Sequence, residues 1–260
     1  MTSALEANPE IPRLLVTGHP NHELAIHGFV QRMRPHILFL TDGGGEARSA
    51  ESRAALARLG LAEHAEFLGV PESVLYRALV DGDASILLEL AAAIRREVER
   101  VGARQVLCES VEFYNPLHDL TLPLVRAATR GMKGIDVLEF PLIAERAEAP
   151  GTYRVQRPPA SRSADVLSFR LTKEEVRWKL RAARESYPSL RTQMGPVLDA
   201  VEVAHAALEC FLPAAPLPAP GPEHVLRYEE RARLLAREGR VDRVITWRDH
   251  FLPAVVSLES

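Results

Sequence analysis

The chain has few cysteines, no long apolar segment and no excess of basic residues. Cys108 and Cys210 are too few for a disulfide framework and are not spaced as a redox pair, so we expect two buried, unpaired side chains. No run approaches the roughly 20 apolar residues of a membrane-spanning helix, and residues 1–12 lack the pattern of a secretory signal. These absences predict a cytosolic protein that does not span a membrane.

The charge balance limits the classes of partner. The formal net charge is −3 at pH 7, with no cluster of basic residues that would attract a polyanion. Nucleic acids and anionic membrane surfaces are therefore not expected partners, and a small-molecule substrate is. With 260 residues, 47% of them hydrophobic, the chain can bury a large core as one domain, and an oligomer stays open.

Short apolar runs alternate with segments of helical periodicity through most of the chain. Pro12–Thr17, His36–Thr41 and Arg104–Glu109 are predicted strands, and each is followed by a predicted helix. This rhythm is typical of βαβ units. We therefore predict an α/β fold with a doubly wound, mostly parallel, Rossmann-like sheet.

The last quarter of the chain has a different pattern. We predict a single domain over residues 1–260, with its core in residues 11–190 and a helical C-terminal extension in residues 191–260. Within the extension, Gly195–Leu212 is predicted to be helical, and the proline-rich residues 213–222 to form an extended linker.

Histidines and carboxylates follow the predicted strands at the places where parallel sheets bind ligands. His19, His22 and Glu23 come after the first strand, Asp42 comes after the second, and His118 follows the third at a short distance. If these strands are parallel neighbours, the segments meet at one edge of the sheet. Three imidazoles near carboxylates are suited to zinc, or to ferrous iron, with a coordination position left for water.

The same residues also have simpler interpretations. Asn21 and Asn115 are plausible helix N-caps, and His22 can be a solvated residue in a first helical turn. Gly43–Gly45 is weak evidence for phosphate binding because glycines also make tight turns.

At these positions the sequence resembles the PIG-L/LmbE-like family of metal-dependent N-acetylglucosaminyl deacetylases. That family carries His-Pro-Asp-Asp-Glu after its first strand, Thr-Asp-Gly after its second and His-Pro-Asp-His later. The resemblance covers about residues 11–194, in matching order and spacing. The stretches that carry it are His19–Glu23 (HPNHE), Thr41–Gly43 (TDG), Arg48 with Glu51, Leu59–Gly60, Phe67–Gly69 (FLG) and Asn115–His118 (NPLH).

The resemblance implies a metal site with two altered positions. Its metal ligands correspond to His19, His22 and His118, and His22 replaces a carboxylate with an imidazole. The family's general base corresponds to Asn21, whose amide is not a useful proton acceptor. A histidine that assists at the oxyanion or leaving group corresponds to Asn115, whose amide can donate a hydrogen bond to an oxyanion.

The resemblance implies a zinc-dependent hydrolase that removes an acyl group from an amino-sugar derivative. Because Asn21 cannot act as a base, we expect Glu112, or else Glu23, to replace it. Arg48, Asp42 and Tyr114 are predicted to contact the substrate. We also expect Asn21→Asp to raise hydrolysis of N-acetyl sugars.

Two other functions stay open at this stage. One is a sugar- or metal-binding protein on a deacetylase scaffold that no longer hydrolyses. The other is a nucleotide-sugar transferase, for which Gly43–Gly45 is the only support.

Overall fold

The computed structural model describes residue 5 and residues 10–199, 206–221 and 224–259. The strands are β1 (Arg13–Thr17), β2 (His36–Thr41), β3 (Ala65–Val70), β4 (Gln105–Glu109), β5 (Asp136–Phe140), β6 (Ile143–Glu145), β7 (Tyr153–Val155), β8 (Leu167–Arg170) and β9 (Leu208–Pro213). The α-helices are α1 (His27–Met33), α2 (Glu46–Arg58), α3 (Glu72–Asp81), α4 (Ser85–Val101), α5 (Pro116–Asp119), α6 (Thr121–Thr129), α7 (Lys173–Glu185), α8 (Pro188–Asp199), α9 (Arg227–Arg237) and α10 (Leu252–Glu259).

Seven strands form one mixed sheet in the order β3-β2-β1-β4-β5-β9-β8. The first five strands of this order are parallel to their neighbours, and β9 pairs antiparallel with both β5 and β8. Strands β1, β2 and β3 follow one another towards one edge of the sheet, and β4 and β5 continue from β1 towards the other edge. The order of the strands therefore switches direction between β1 and β4, which are adjacent although about 90 residues separate them. In doubly wound folds this switch point is where ligands bind. The predicted α/β class with a mostly parallel sheet is confirmed.

Apolar side chains on alternate strand positions bury two faces of the sheet. On β1, Leu14 and Val16 belong to the hydrophobic cluster that includes α4 and α6, and Leu15 belongs to the cluster that includes α1. This alternation follows from the two-residue period of a strand. The central strands are therefore covered on both sides, which explains their nearly continuous apolar sequences.

Two segments differ from the sequence-based prediction. Residues 208–212 were predicted to end a helix and Pro213 to begin the linker, but Leu208–Pro213 is strand β9. Residues 200–205 lie outside the described part of the chain. The extension therefore contributes a strand to the main sheet and is not helical throughout. Helix α3 (Glu72–Asp81) was not predicted at all.

The two cysteines are both buried and unpaired, as predicted. Among the described helices, none combines the length and the apolar character that crossing a bilayer requires.

Candidate metal centre

Three histidines meet at the carboxyl ends of β1 and β4. His19 follows β1, His22 begins a 3-10 turn, and His118 lies in α5. Their ring centroids are 4.5 to 4.9 Å apart, and each ring offers a nitrogen within 4.8 Å of those of the other two. Because β1 and β4 are parallel neighbours, the segments that leave them reach the same edge of the sheet.

The environment of the cluster favours neutral imidazoles. His19 and His22 are buried and His118 is partly buried. Burial lowers the pKa of His19, and it lowers the pKa values of His22 and His118 well below the usual value. Neutral imidazole is the form that binds a metal. Because His22 is buried, its simpler interpretation as a solvated residue in a first helical turn is wrong.

Two glutamates contact the histidines from outside the cluster. Nδ1 of His22 lies within hydrogen-bond distance, 2.7 Å, of Oε1 of Glu109, which leaves Nε2 of that ring for a metal. Oε1 of Glu72 lies 3.0 Å from Nε2 of His19, and Nδ1 of His19 has no partner among the described residues. Carboxylates that orient ligand histidines are common around protein metal sites. Neither glutamate is among the site residues predicted from the sequence.

Glu72 and Glu109 differ in their access to solvent. Glu109 is fully buried, burial raises its pKa to about 8, and the same Oε1 also accepts from the amide of Gly18 at 3.0 Å. The Glu72 side chain is 22% exposed, and although burial alone would raise its pKa, the contact with His19 lowers it below the usual value. Glu109 is thus shielded from solvent, whereas the side chain of Glu72 is partly exposed to it.

Asp42 holds the glycine turn and the start of α3 together. Its Oδ1 accepts from the amide of Gly44 at 2.9 Å and from the amide of Glu72 at 3.3 Å. Gly43 has φ of +66°, and a Cβ there would lie 3.1 Å from Cδ of Pro20. The glycines therefore make a tight turn beside the cluster, and Asp42 places Glu72 there.

Arg48 and Tyr114, which are predicted from the sequence to contact the substrate, both border the cluster. The buried Arg48 donates to the carbonyl oxygens of Pro20, at 2.8 Å, and Gly43, at 3.3 Å. Its Nε has no hydrogen-bond partner in the described part of the chain. The ring of Tyr114 stacks on that of His118 with centroids 6.2 Å apart.

Asn115 is the N-cap of α5 and also faces the site. Its Oδ1 accepts from the amide of Leu117 at 2.8 Å, and Pro116 occupies the first turn, so the predicted cap is confirmed. The hydroxyl of Tyr76 lies 3.5 Å from the same oxygen. The side-chain nitrogen of Asn115, Nδ2, makes no hydrogen bond to the described residues.

Asn21 occupies the N-cap position of the 3-10 turn His22–Ile26, but its side chain is held against α2 and makes no capping hydrogen bond. It has φ of 80°, a left-handed conformation that asparagine tolerates. Its Nδ2 donates to Oε2 of Glu51 at 2.9 Å, and its Oδ1 accepts from the hydroxyl of Ser52 at 3.0 Å. Oε1 of Glu51 in turn accepts from the amide and hydroxyl of Ser189. The predicted N-cap position is therefore confirmed for a 3-10 turn, whereas the side chain of Asn21 binds α2 and does not cap the turn.

The Asn21–Glu51 contact changes what we expect of Asn21→Asp. An aspartate there would lose a hydrogen bond to a carboxylate and place two carboxylates about 3 Å apart, where both do not readily ionise. We expect Asn21→Asp to lower the free energy of unfolding by about 1–3 kcal/mol. Urea denaturation of the variant and the wild type measures this difference.

Glu51→Gln provides the matched partner for a double-mutant cycle. In Asn21→Asp/Glu51→Gln, the new amide can donate to Asp at position 21 while its oxygen accepts from Ser189, so we expect the double variant to be more stable than the sum of the single changes. Any gain in hydrolysis from a carboxylate at position 21 should then appear in the double variant. Additive stability changes would contradict this account of the contact.

The two carboxylates proposed from sequence as bases have other partners in the structure. Oε2 of Glu112 accepts from the amides of Leu142, at 2.6 Å, and Ile143, at 2.7 Å, and burial raises the pKa of Glu112 to about 8. Oε1 of Glu23 accepts from the hydroxyl of Tyr187 at 3.1 Å. The other oxygen of each carboxylate, Oε1 of Glu112 and Oε2 of Glu23, is buried and has no hydrogen-bond partner among the described residues.

The donor set fits a zinc ion. Three neutral imidazoles whose nitrogens lie close together, one ring already oriented by Glu109, form the His₃ type of site that catalytic zinc uses.

Comparison with known proteins identifies similar folds but no close relative in sequence. No protein-family model matches the sequence, and no curated protein matches it either. One similar structure is a triple mutant of a deacetylase from the teicoplanin biosynthetic pathway, with a TM-score of 0.53 and 17% identity over 78% of this chain and 97% of the other. Another is the deacetylase of the A40926 pseudoaglycone, with a TM-score of 0.57 and 15% identity over 80% of this chain and 99% of the other. At these identities the similarity shows a shared fold.

Proposed function

We propose that this protein is a zinc-dependent amidohydrolase that removes an acyl group from an N-acylated amino-sugar derivative. The observation that carries the proposal is the convergence of His19, His22 and His118 at the switch point of the sheet. The fold is shared with two deacetylases. The sequence resemblance to the PIG-L/LmbE-like family implies that the three histidines correspond to its metal-binding positions. A bound zinc would supply a Lewis acid and lower the pKa of its water to about 7.

Glu72 is the carboxylate best placed to take a proton from the attacking water. It contacts His19, is partly exposed to solvent and begins α3, where Asp42 accepts a hydrogen bond from its backbone amide. A general base must lie within about 2.6–3.2 Å of the proton it takes, directly or through one water. In this proposal Glu72 takes the role that the sequence analysis gave to Glu112 or Glu23.

Polar groups around the cluster have roles in binding the amide. The side-chain nitrogen Nδ2 of Asn115 can donate to the oxyanion that forms from the carbonyl oxygen of the substrate amide. This interaction strengthens as negative charge develops on that oxygen. Arg48, with its unpartnered Nε, can donate to a substrate hydroxyl. The ring of Tyr114 offers an apolar surface for a sugar.

The proposal is tested by measuring acetate release from N-acetylglucosamine derivatives with zinc-loaded and chelator-treated protein. We expect hydrolysis in the first sample, its loss in the second, and its return when zinc is added. A chain that binds zinc but hydrolyses no N-acylated amino sugar would instead be a binding protein on this scaffold.

A further inference from the structure

Glu109 is linked to the chain segments that carry all three clustered histidines. Its Oε1 lies 2.7 Å from Nδ1 of His22 and accepts from the amide of Gly18, the residue before the first of the histidines, at 3.0 Å. The hydroxyl of Thr121 lies 3.3 Å from the carbonyl oxygen of Glu109 and 2.7 Å from that of His118. One residue at the end of β4 therefore joins the turn after β1 to α5 and the start of α6.

The close approach of this carboxylate to the turn after β1 requires a glycine at position 18. A Cβ on Gly18 would lie 3.2 Å from Oε2 of Glu109 and 3.1 Å from the carbonyl oxygen of Leu117. Both distances are shorter than ordinary van der Waals contacts of a side chain. The missing side chain thus lets Glu109 lie against the backbone of the turn and within reach of His22.

The carboxylate of Glu109 is fully buried and has no basic side chain of its own. Among the described residues, it forms no ion pair with a lysine or an arginine, and its Oε2 has no hydrogen-bond partner. A buried carboxylate is costly unless a cation and several donors balance its charge. A dication held at Nε2 of His22 would supply that positive charge through the ring that Glu109 already contacts.

A second buried glutamate shows how a carboxylate with a structural role is held in this protein. Glu209, on β9, accepts from the amides of Gly28 and Phe29 and forms an ion pair with Lys179 at 2.7 Å. Glu109 has a single backbone donor and no such lysine, and its shortest hydrogen-bond contact is with a ring of the histidine cluster. Its contacts therefore point to a role in the metal centre.

We propose that Glu109 is a positioning residue that holds His22 with its proton on Nδ1 and with Nε2 facing the cluster, so that the site is formed before a metal binds. Oε1 already accepts from the amide of Gly18, so it is the acceptor here and His22 is the donor. An acceptor at Nδ1 fixes the tautomer and orientation of an imidazole and makes its other nitrogen a better ligand. The inference rests on the proposed function for the metal alone, since the substrate has no part in it.

The first test measures zinc affinity by competition with a chelator in the wild type and in Glu109→Gln. Glutamine keeps the size of the side chain and an acceptor oxygen but removes the charge. We expect the zinc Kd to rise by about 10–100-fold, the effect typical of changing the partner of a ligand histidine. Glu209→Gln is the matched control: it changes an equally buried glutamate on another strand, and we expect it to leave the zinc Kd unchanged while it removes the charge that pairs with Lys179.

The second test needs no metal. Nuclear magnetic resonance of isotope-labelled, metal-free protein distinguishes the two neutral tautomers of His22, and we expect the form protonated on Nδ1 in the wild type and a mixture of both forms in Glu109→Ala.

An unchanged zinc Kd in Glu109→Gln, or a His22 protonated on Nε2 in the wild type, would overturn the inference and leave the proposed function standing. The expected tautomer and loss of affinity, in a protein that hydrolyses no N-acylated amino sugar, would retain the inference and contradict the proposed function. A wild type that binds no zinc would contradict both.

Discussion

Glu72→Gln is expected to lower kcat for amide hydrolysis by about 10²–10⁴-fold, the contribution of a positioned general base, while the protein keeps its zinc and its fold. Glutamine preserves the shape of the side chain, the start of α3 and the contact of an oxygen with His19, but it cannot accept a proton. The measurement is turnover of an N-acetylated amino sugar together with zinc content and thermal unfolding of the same preparation.

Glu112→Gln and Glu23→Gln are the comparisons that make this result specific. Both glutamates are buried near the site, but one accepts from two backbone amides and the other from Tyr187. We expect both variants to retain most of the wild-type kcat when they fold. If Glu112→Gln loses activity with its zinc retained and Glu72→Gln does not, Glu112 is the base and the assignment of Glu72 is wrong.

His118→Ala is expected to abolish zinc binding at micromolar concentrations and, with it, hydrolysis. Changing a residue that orients a metal ligand typically weakens metal affinity by roughly 10–100-fold. Because His118 is one of the three proposed ligands, its loss should weaken zinc affinity by more than this. Zinc affinity is measured by competition with a chelator of known strength, and the folded state is checked by circular dichroism.

His36→Ala is the matched control for this variant. His36 is another partly buried histidine, but it stacks on His64 with ring centroids 4.9 Å apart, away from the cluster. We expect His36→Ala to bind zinc as the wild type does. If His118→Ala retains wild-type zinc affinity, His118 is not a ligand.

The convergence of the histidines could be predicted because it depends on short-range patterns and one general rule. The apolar runs of β1, β2 and β4 were visible in the sequence, and parallel neighbours bring the residues after each strand to one edge. The placement of His19, His22 and His118 follows from these two facts, although about 95 residues separate the last from the others.

The supporting carboxylates could not be found in the same way. Glu109 is the last residue of β4, and the strand pattern alone gives it no role in the site. A charged residue at the end of a buried strand does, however, indicate that a polar group lies near it, because a buried charge needs a hydrogen-bond partner. Glu72 could not be placed near the site because it begins α3, a helix that is absent from the sequence-based prediction. Leu75 and Leu79 at helical spacing, and Gly82 as a left-handed C-cap, were the available signals for that helix.

The remaining differences between the prediction and the structure depend on contacts between segments that are distant in sequence. Leu208–Pro213 (LECFLP) has an apolar run that suits either a helix or a strand, and its place between β5 and β8 settles it as a strand. The hydrogen bonds of Asn21 to Glu51 and Ser52 join the turn after β1 to α2, a contact that no local pattern encodes. By contrast, Thr172 and Glu175 form the predicted capping box, which depends only on neighbouring residues.

X-ray absorption spectroscopy of the zinc-loaded protein, with the metal content of the same sample, tests the central claim most directly. The account predicts one zinc per chain, a first shell of nitrogen and oxygen that includes three imidazoles at about 2.0–2.1 Å, and loss of this signal in His118→Ala. A chain that binds no zinc, or binds it through cysteine sulfur or with His118→Ala unchanged, would contradict the account.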